Sequence, residues 1–224
     1  MELHFFPGQN LIVVKNKLKS ITHRFEAMGG PPSMGQDPVM PERPTTAGSY
    51  LIDMAHAYRT PTWALSAIAW GTRLRDQPSA DPAKSDVWYQ LRSGQWGSIL
   101  KDKDIDRKSI IEFNEALYGE DVTPKVPKTW IFNDFGPIAI RYFKDLNKNG
   151  ILDGNEVLSG EMLHTTPDNE AQHKRGRSVR LHPSHGCIHL KPADRDTLFA
   201  IGAFRRGSPF IVHKYTDRFT GAIL

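Results

Sequence analysis

The sequence predicts a mainly β protein with a few helices and a mixed α/β insertion. Three observations carry that expectation. The opening residues alternate β-branched and aromatic runs with short Pro/Gly/Asn turns. A second run, Ile138 to Phe143, has strand composition, and Gly136-Pro137 just before it would break a helix. Only two stretches, Asp106 to Leu117 and Lys191 to Arg206, carry clear helical signals.

Taken in order, Phe5-Phe6 leads into a Pro7-Gly8-Gln9-Asn10 turn and the run Leu11 to Val14. Lys15-Asn16-Lys17 reads as a second turn, and Leu18 to Phe25 as the next strand. Residues 29–49, rich in Gly, Pro, Ser and Thr, are expected to form a long surface loop before Tyr50-Leu51-Ile52 resumes the sheet. Trp63 to Trp70 fits helix or strand equally. Val87 to Leu100 reads as a hairpin about Ser93-Gly94. Asp106 to Leu117 is an amphipathic helix with Ile110, Phe113 and Leu117 on one face. Strand is expected from Trp130 to Phe143, helix from Lys191 to Arg206 with Gly207 as its stop, and a last strand from Pro209 to Tyr215.

With 224 residues, 39% hydrophobic and 24% charged, the composition is that of a folded globular chain. A net charge of +4 is spread along the sequence apart from Lys174-Arg175-Gly176-Arg177, so nucleic acid is not an expected partner. No apolar run reaches transmembrane length. Met1 to Asn10 lacks the basic start and long apolar stretch of a secretory signal, which leaves the export route unspecified.

Cys187 is the single cysteine, within Ser184-His185-Gly186-Cys187-Ile188-His189. An imidazole that takes a thiol's proton makes it a strong nucleophile, so cysteine acyl-transfer chemistry is the leading reading. On an extended run His185, Cys187 and His189 would share a face. Gly186 would leave backbone N–H groups open to an oxyanion. His164 follows an apolar pair and is expected on a neighbouring strand, where it would help ionise the sulfur. A lone cysteine is commonly an inert apolar residue, but two flanking histidines and a glycine set this one apart. The rival is zinc, with ligands drawn from His164, His182, His185, Cys187 and His189, although their spacing matches no zinc signature.

Ser184-His185-Gly186-Cys187 resembles the S/T-H-G-C signature of the L,D-transpeptidases, the YkuD-like catalytic domain. Leu163-His164-Thr165 is similar to that family's second motif, and Arg43 to Tyr50 to its T-P-x-G-x-F/Y segment. The resemblance covers about residues 1–52 and 129–215. It implies a β-sandwich-like catalytic fold over residues 1–53 and 129–224, interrupted by an insertion subdomain or cap at 54–128. The implied substrates are peptidoglycan stem peptides, met in the periplasm or cell wall, with no organic cofactor. By position, Cys187 would take the acyl group of a tetrapeptide and His164 would be the base, oriented by Thr165. His185, Gly186 and Cys187 would line the oxyanion site and Ser184 would support the turn. His189 stands where the family commonly has asparagine or arginine. Substrate contact is therefore expected of His189 together with Arg180, or with Arg175 and Arg177.

Asp145 to Glu156 fits the twelve-residue EF-hand pattern: Asp145, Asn147 and Asn149 at positions 1, 3 and 5, Gly150 at the sharp turn, Ile151 offering its carbonyl, Asp153 at 9 and Glu156 at 12. Both flanks read as strand, so a structural Ca²⁺ loop between two strands is expected, with an empty Asn/Gly turn as the alternative. Residues 54–128 hold four of the five tryptophans, Trp63, Trp70, Trp88 and Trp96, read as a small core of their own, a groove for glycan or peptide, or a surface for an immunity or delivery partner. Three functions stay open: a transpeptidase; a secreted antibacterial effector of the same fold acting as L,D-carboxypeptidase or D-amino-acid exchange enzyme; and a calcium-dependent cell-wall binding module without catalysis.

Overall fold

A computed structural model describes residues 1–119 and 123–221. The chain forms two compact units, Met1–His56 with Ala139–Thr165 and Val179–Leu224, and Ala57–Ile138 with Thr166–Ser178. The second unit is wider than the expected 54–128 insertion, since it also takes in residues 129–138 and 166–178.

The first unit is a closed eight-stranded barrel. Its strands are β1 (Glu2–Phe6), β2 (Leu11–Lys15), β3 (Ile21–Met28), β4 (Gly48–His56), β8 (Ala139–Phe143), β9 (Leu163–His164), β10 (Ile188–Leu190) and β11 (Pro209–Val212). Around the barrel the order is β1, β11, β4, β8, β9, β10, β3, β2. The mainly β expectation holds, and closure of the sheet removes its edges. The turn after β1 is a 3-10 turn, Pro7–Gln9, ended by Asn10 in the left-handed region (φ 50°), where asparagine is among the few tolerated residues. Inside the barrel, Tyr142 meets Tyr50 and Phe210 edge-on at centroid distances of 4.9 and 5.0 Å, a favoured aromatic geometry. β4 carries a bulge between Ile52 and Met54. Asp53 lies there, buried, and accepts from Arg206 at 2.7 and 3.0 Å.

The C-terminal helix, α4 (Pro192–Ala200), is shorter than the expected 191–206. Gly202 (φ 74°) ends it: its N–H donates to the Phe199 carbonyl and the Ala203 N–H to the Leu198 carbonyl. This is a Schellman cap, with Ala203 and Leu198 buried as its apolar contact.

In the second unit, β5 (Leu74–Gln77), β6 (Asp86–Gln90) and β7 (Trp96–Ser98) form a three-stranded sheet with α1 (Ile99–Lys103) and α2 (Arg107–Tyr118). The hairpin about Ser93-Gly94 and the helix opened by Asp106 are as expected; the Asp106 carboxylate caps the Ser109 N–H at 2.7 Å. The core is Ile68, Val87, Ile99, Ile105, Ile110, Trp130 and Phe132. Trp130, not the four tryptophans of 54–128, is its fully buried ring, with its indole N–H donating to the Leu65 carbonyl at 2.8 Å. Trp63 and Trp88 are exposed, so the small-core reading of those tryptophans is corrected. The expected strand from Trp130 begins only at Ala139. Residues before it turn at Gly136 (φ 60°), and the Asn133 amide donates to the Tyr58 and Ile68 carbonyls at 2.9 Å. An additional helix, α3 (Pro167–Lys174), runs into the basic cluster at 174–177. It has no apolar stripe, but Thr166 capping the Asn169 N–H and Pro167 at the first position are its start signals.

Candidate active site

The thiol sits in the turn that enters β10. Ser184 pins this turn: its buried hydroxyl accepts from the Gly186 N–H (3.1 Å) and donates to the Cys187 carbonyl. The Ser184 N–H donates to the Gly29 carbonyl (3.1 Å), which ties the turn to the end of β3. Gly186 has φ 110°, and a Cβ there would stand 3.3 Å from Glu161 Oε1, so both the conformation and the space favour glycine. This bend corrects the expected alternation. The strand starts only at Ile188, and His185, before the bend, is exposed. It also corrects the expected role of Gly186, whose N–H is engaged within the turn rather than open to an oxyanion.

β9 and β10 run parallel, with Leu163 opposite Ile188 and His164 opposite His189. In-register neighbours present their side chains to the same face, and the rings of His164 and His189 meet at 4.9 Å, nearly perpendicular (77°). Cys187 is the residue that leads into β10. Its sulfur receives a hydrogen bond from the backbone of Met162, the residue two before His164.

The tautomers follow from the partners. His164 Nδ1 is 2.8 Å from the Thr165 carbonyl and His189 Nδ1 is 2.8 Å from the His182 carbonyl. A carbonyl only accepts, so each Nδ1 carries the proton and Nε2 is the basic nitrogen of the neutral ring. Burial lowers the His164 pKa to about 3, reinforced by the His189 ring and opposed by the Thr165 hydrogen bond. Burial also lowers that of His189, opposed by its bond to His182. The Cys187 thiol is pushed up to about 11, again by burial first; the Met162 backbone works against this and the Glu161 carboxylate adds to it. Burial thus favours the neutral thiol and the neutral imidazole.

Several residues around the thiol carried no sequence signal. Glu161 accepts from the Thr46 N–H (3.1 Å), the Thr46 hydroxyl (2.7 Å) and the Tyr142 hydroxyl (3.1 Å), joining the loop before β4 to the wall beside Gly186. With burial, it raises the Tyr50 phenol to about 12. Arg195 of α4, buried, donates to the Thr165 hydroxyl at 3.3 Å, behind the carbonyl that orients His164. Arg180 is exposed in the same unit, whereas Arg175 and Arg177 belong to the other unit. Among the described residues no group of three or more His, Cys, Asp or Glu is gathered as a metal site; the histidines and Cys187 are thus not arranged as zinc ligands.

Residues 145–156 form an excursion between β8 and β9, closed by a bridge between Phe143 and Leu158. The side-chain oxygens of Asp145, Asn147, Asn149, Asp153 and Glu156 turn into the loop. Asp145 accepts from the Asn149 and Gly150 N–H groups (3.1 and 3.0 Å) and Glu156 from Leu146 (2.6 Å). Asn147 and Asn149 donate their amides to Asp153, both at 2.8 Å. Gly150 takes φ 78° at the sharp turn, as the pattern requires.

A mainly β barrel with a histidine ending one strand, a threonine just after it, and a Ser-His-Gly-Cys turn leading into the next strand defines a class, the cell-wall enzymes of L,D-transpeptidase type. The YkuD family, the L,D-transpeptidase catalytic domain, matches residues 8–212, and the chain belongs to that family, whose enzymes act on peptidoglycan. No curated protein and no solved structure gives a significant match. No helix among the described residues is long and apolar enough to cross a membrane.

Proposed function

We infer that this protein is a peptidoglycan acyltransferase whose nucleophile is Cys187. The observation that carries the reading is the shared face of His164 and His189 on paired strands, next to the only cysteine. A stem tetrapeptide presents its scissile carbonyl to the sulfur. The S–C bond forms as the thiol proton passes to Nε2 of His164, and the C–N bond to D-alanine breaks as that proton moves to the leaving amine. An amine or water then attacks the thioester and returns the sulfur to its thiol form. Thr165 holds the base in its working tautomer, and Ser184 holds the turn. With the Gly186 amide engaged by Ser184, stabilisation of the oxyanion falls to the Cys187 N–H and the His185 side chain. His189 and Arg180 provide substrate contacts. The site of action is the periplasm or cell wall.

The experiment is incubation with disaccharide-tetrapeptide followed by mass spectrometry. Loss of alanine with water gained identifies a carboxypeptidase, whereas a dimer identifies a transpeptidase. Cys187→Ala removes either product; products that persist in this variant overturn the mechanism.

We also propose that residues 145–156 bind a structural Ca²⁺ through Asp145, Asn147, Asn149, the Ile151 carbonyl, Asp153 and Glu156. What supports it is the twelve-position pattern and oxygens of the right chemical kind; Asp145, Asp153 and Glu156 are not gathered as a metal site in this structure and would have to close around the ion. Calcium would take those oxygens from the N–H groups that they now accept from.

A further inference from the structure

The end of the barrel remote from Cys187 has a chemistry of its own. The thiol lies where β3 finishes, since Ser184 bonds Gly29 and His189 pairs with Met28. The turn from β2 to β3 lies at the other end of the same strand, whose eight residues span about 25 Å at the usual rise. At that far end β1 and β11 begin, and there a cavity of about 600 Å³ is lined by Lys17, Leu18, Arg205, Arg206, Ser208 and Pro209, among others.

Two features stand out. Leu18 is 84% exposed at the tip of the turn. It is not a loose end: Asn16 Oδ1 accepts from the Leu18 and Ser20 N–H groups (2.9 and 3.1 Å), and the Asn16 and Ser20 backbones pair at 2.9 Å. Lys19 takes a left-handed conformation (φ 62°) to close the turn. A folded hairpin thus presents a leucine to solvent in a fixed position. The second feature is charge. The carboxylates at this end are already engaged, Glu2 with Lys19 and His4, and Asp53 with Arg206. Among the described residues neither Lys17 nor Arg205 has a carboxylate partner.

We propose that this end of the barrel docks on an anionic phospholipid surface, with Lys17 and Arg205 meeting the phosphates and Leu18 entering the headgroup boundary. A soluble polyanion would satisfy the cations and leave the leucine in water. An anionic bilayer satisfies both, which is why the pairing of a basic ring with a presented apolar tip selects a membrane surface. Docked this way, the protein holds Cys187 on the side of the barrel that faces away from the bilayer.

The test is co-sedimentation of the intact protein with vesicles of phosphatidylcholine alone and of phosphatidylcholine mixed with phosphatidylglycerol. Binding is expected only to the mixed vesicles, and raising the salt should weaken it. Lys17→Glu with Arg205→Glu should reduce it by about tenfold or more, and Leu18→Ser should weaken it severalfold while thermal melting stays unchanged. Equal binding to both vesicle types, or a double variant that binds like the parent, overturns the proposal. So does polyphosphate binding of equal strength with no effect of Leu18→Ser, since that result identifies a soluble phosphate polymer as the ligand. None of these readouts depends on catalysis, so the assignment of Cys187 stands or falls separately.

Discussion

Two neighbouring stretches of this chain, the β9–β10 face and the 145–156 loop, organise polar groups in opposite ways. On the β9–β10 face His164 is buried and His189 half-buried, and their positions are set by strand register and by backbone carbonyls. In the loop the polar side chains are mostly exposed and charged or amide-bearing, and they are held by their own backbone N–H groups. The difference teaches where tuning comes from. Burial moves the thiol and the imidazole away from each other in proton affinity, to about 11 and about 3. In the loop, chemistry is limited to what the side-chain oxygens can bind.

The comparison breaks most sharply at His164. His164→Ala is expected to lower tetrapeptide turnover by roughly 10²–10⁴-fold, measured as the rate of alanine release. A rate near the parent's would move the role of base to His189, the other neutral imidazole on that face. Neutrality at rest has a direct readout as well. Alkylation of Cys187 by iodoacetamide in the free protein should be slow at pH 7 and climb as the pH approaches about 11; a plateau already reached near neutrality would show an ionised sulfur instead.

Acid sharpens the contrast further. The folded-state pKa of His164 lies below its unfolded value, so the unfolded chain binds a proton that the fold excludes. The stability this histidine contributes is whole above about 6.5, the usual value, and is lost as the pH falls toward about 3. The slope is about 1.4 kcal/mol per pH unit for the one group. Urea midpoints across that range should fall in the parent and flatten in His164→Asn.

Ser184→Ala should cost about 1–3 kcal/mol, because it leaves the buried Gly186 N–H without its acceptor; the urea midpoint reads it. The smallest effect belongs to the loop. Calcium should raise the melting temperature by a few degrees, as ligand linkage requires, and Asp145→Ala should abolish the rise. A melting curve indifferent to calcium and chelator would leave this segment a plain Asn/Gly turn.

Much of the barrel was legible because its local signals agree: alternating apolar runs, turn residues at Asn10 and Asn16, and a helix opened by Pro192. The elements misread were those set by distant contacts. Residues 130–138 have strand composition, yet Trp130 and Asn133 are drawn into the core of the second unit. α3 escaped notice because a polar helix leaves no periodic apolar trace, even with its cap in plain view. At the site, the motif located Cys187, His164 and Ser184. Glu161 and Arg195 lie in no motif and reach the site only through folding.

Composition and motif alone determined that this is a mainly β member of a thiol-bearing cell-wall enzyme family, because residue type and spacing are local properties that the chain carries unfolded. The state of the thiol, the engagement of the Gly186 amide by Ser184, and the pairing of His164 with His189 were decided by tertiary structure. Each depends on burial or on strand register between segments distant in sequence, and neither quantity exists until the barrel closes.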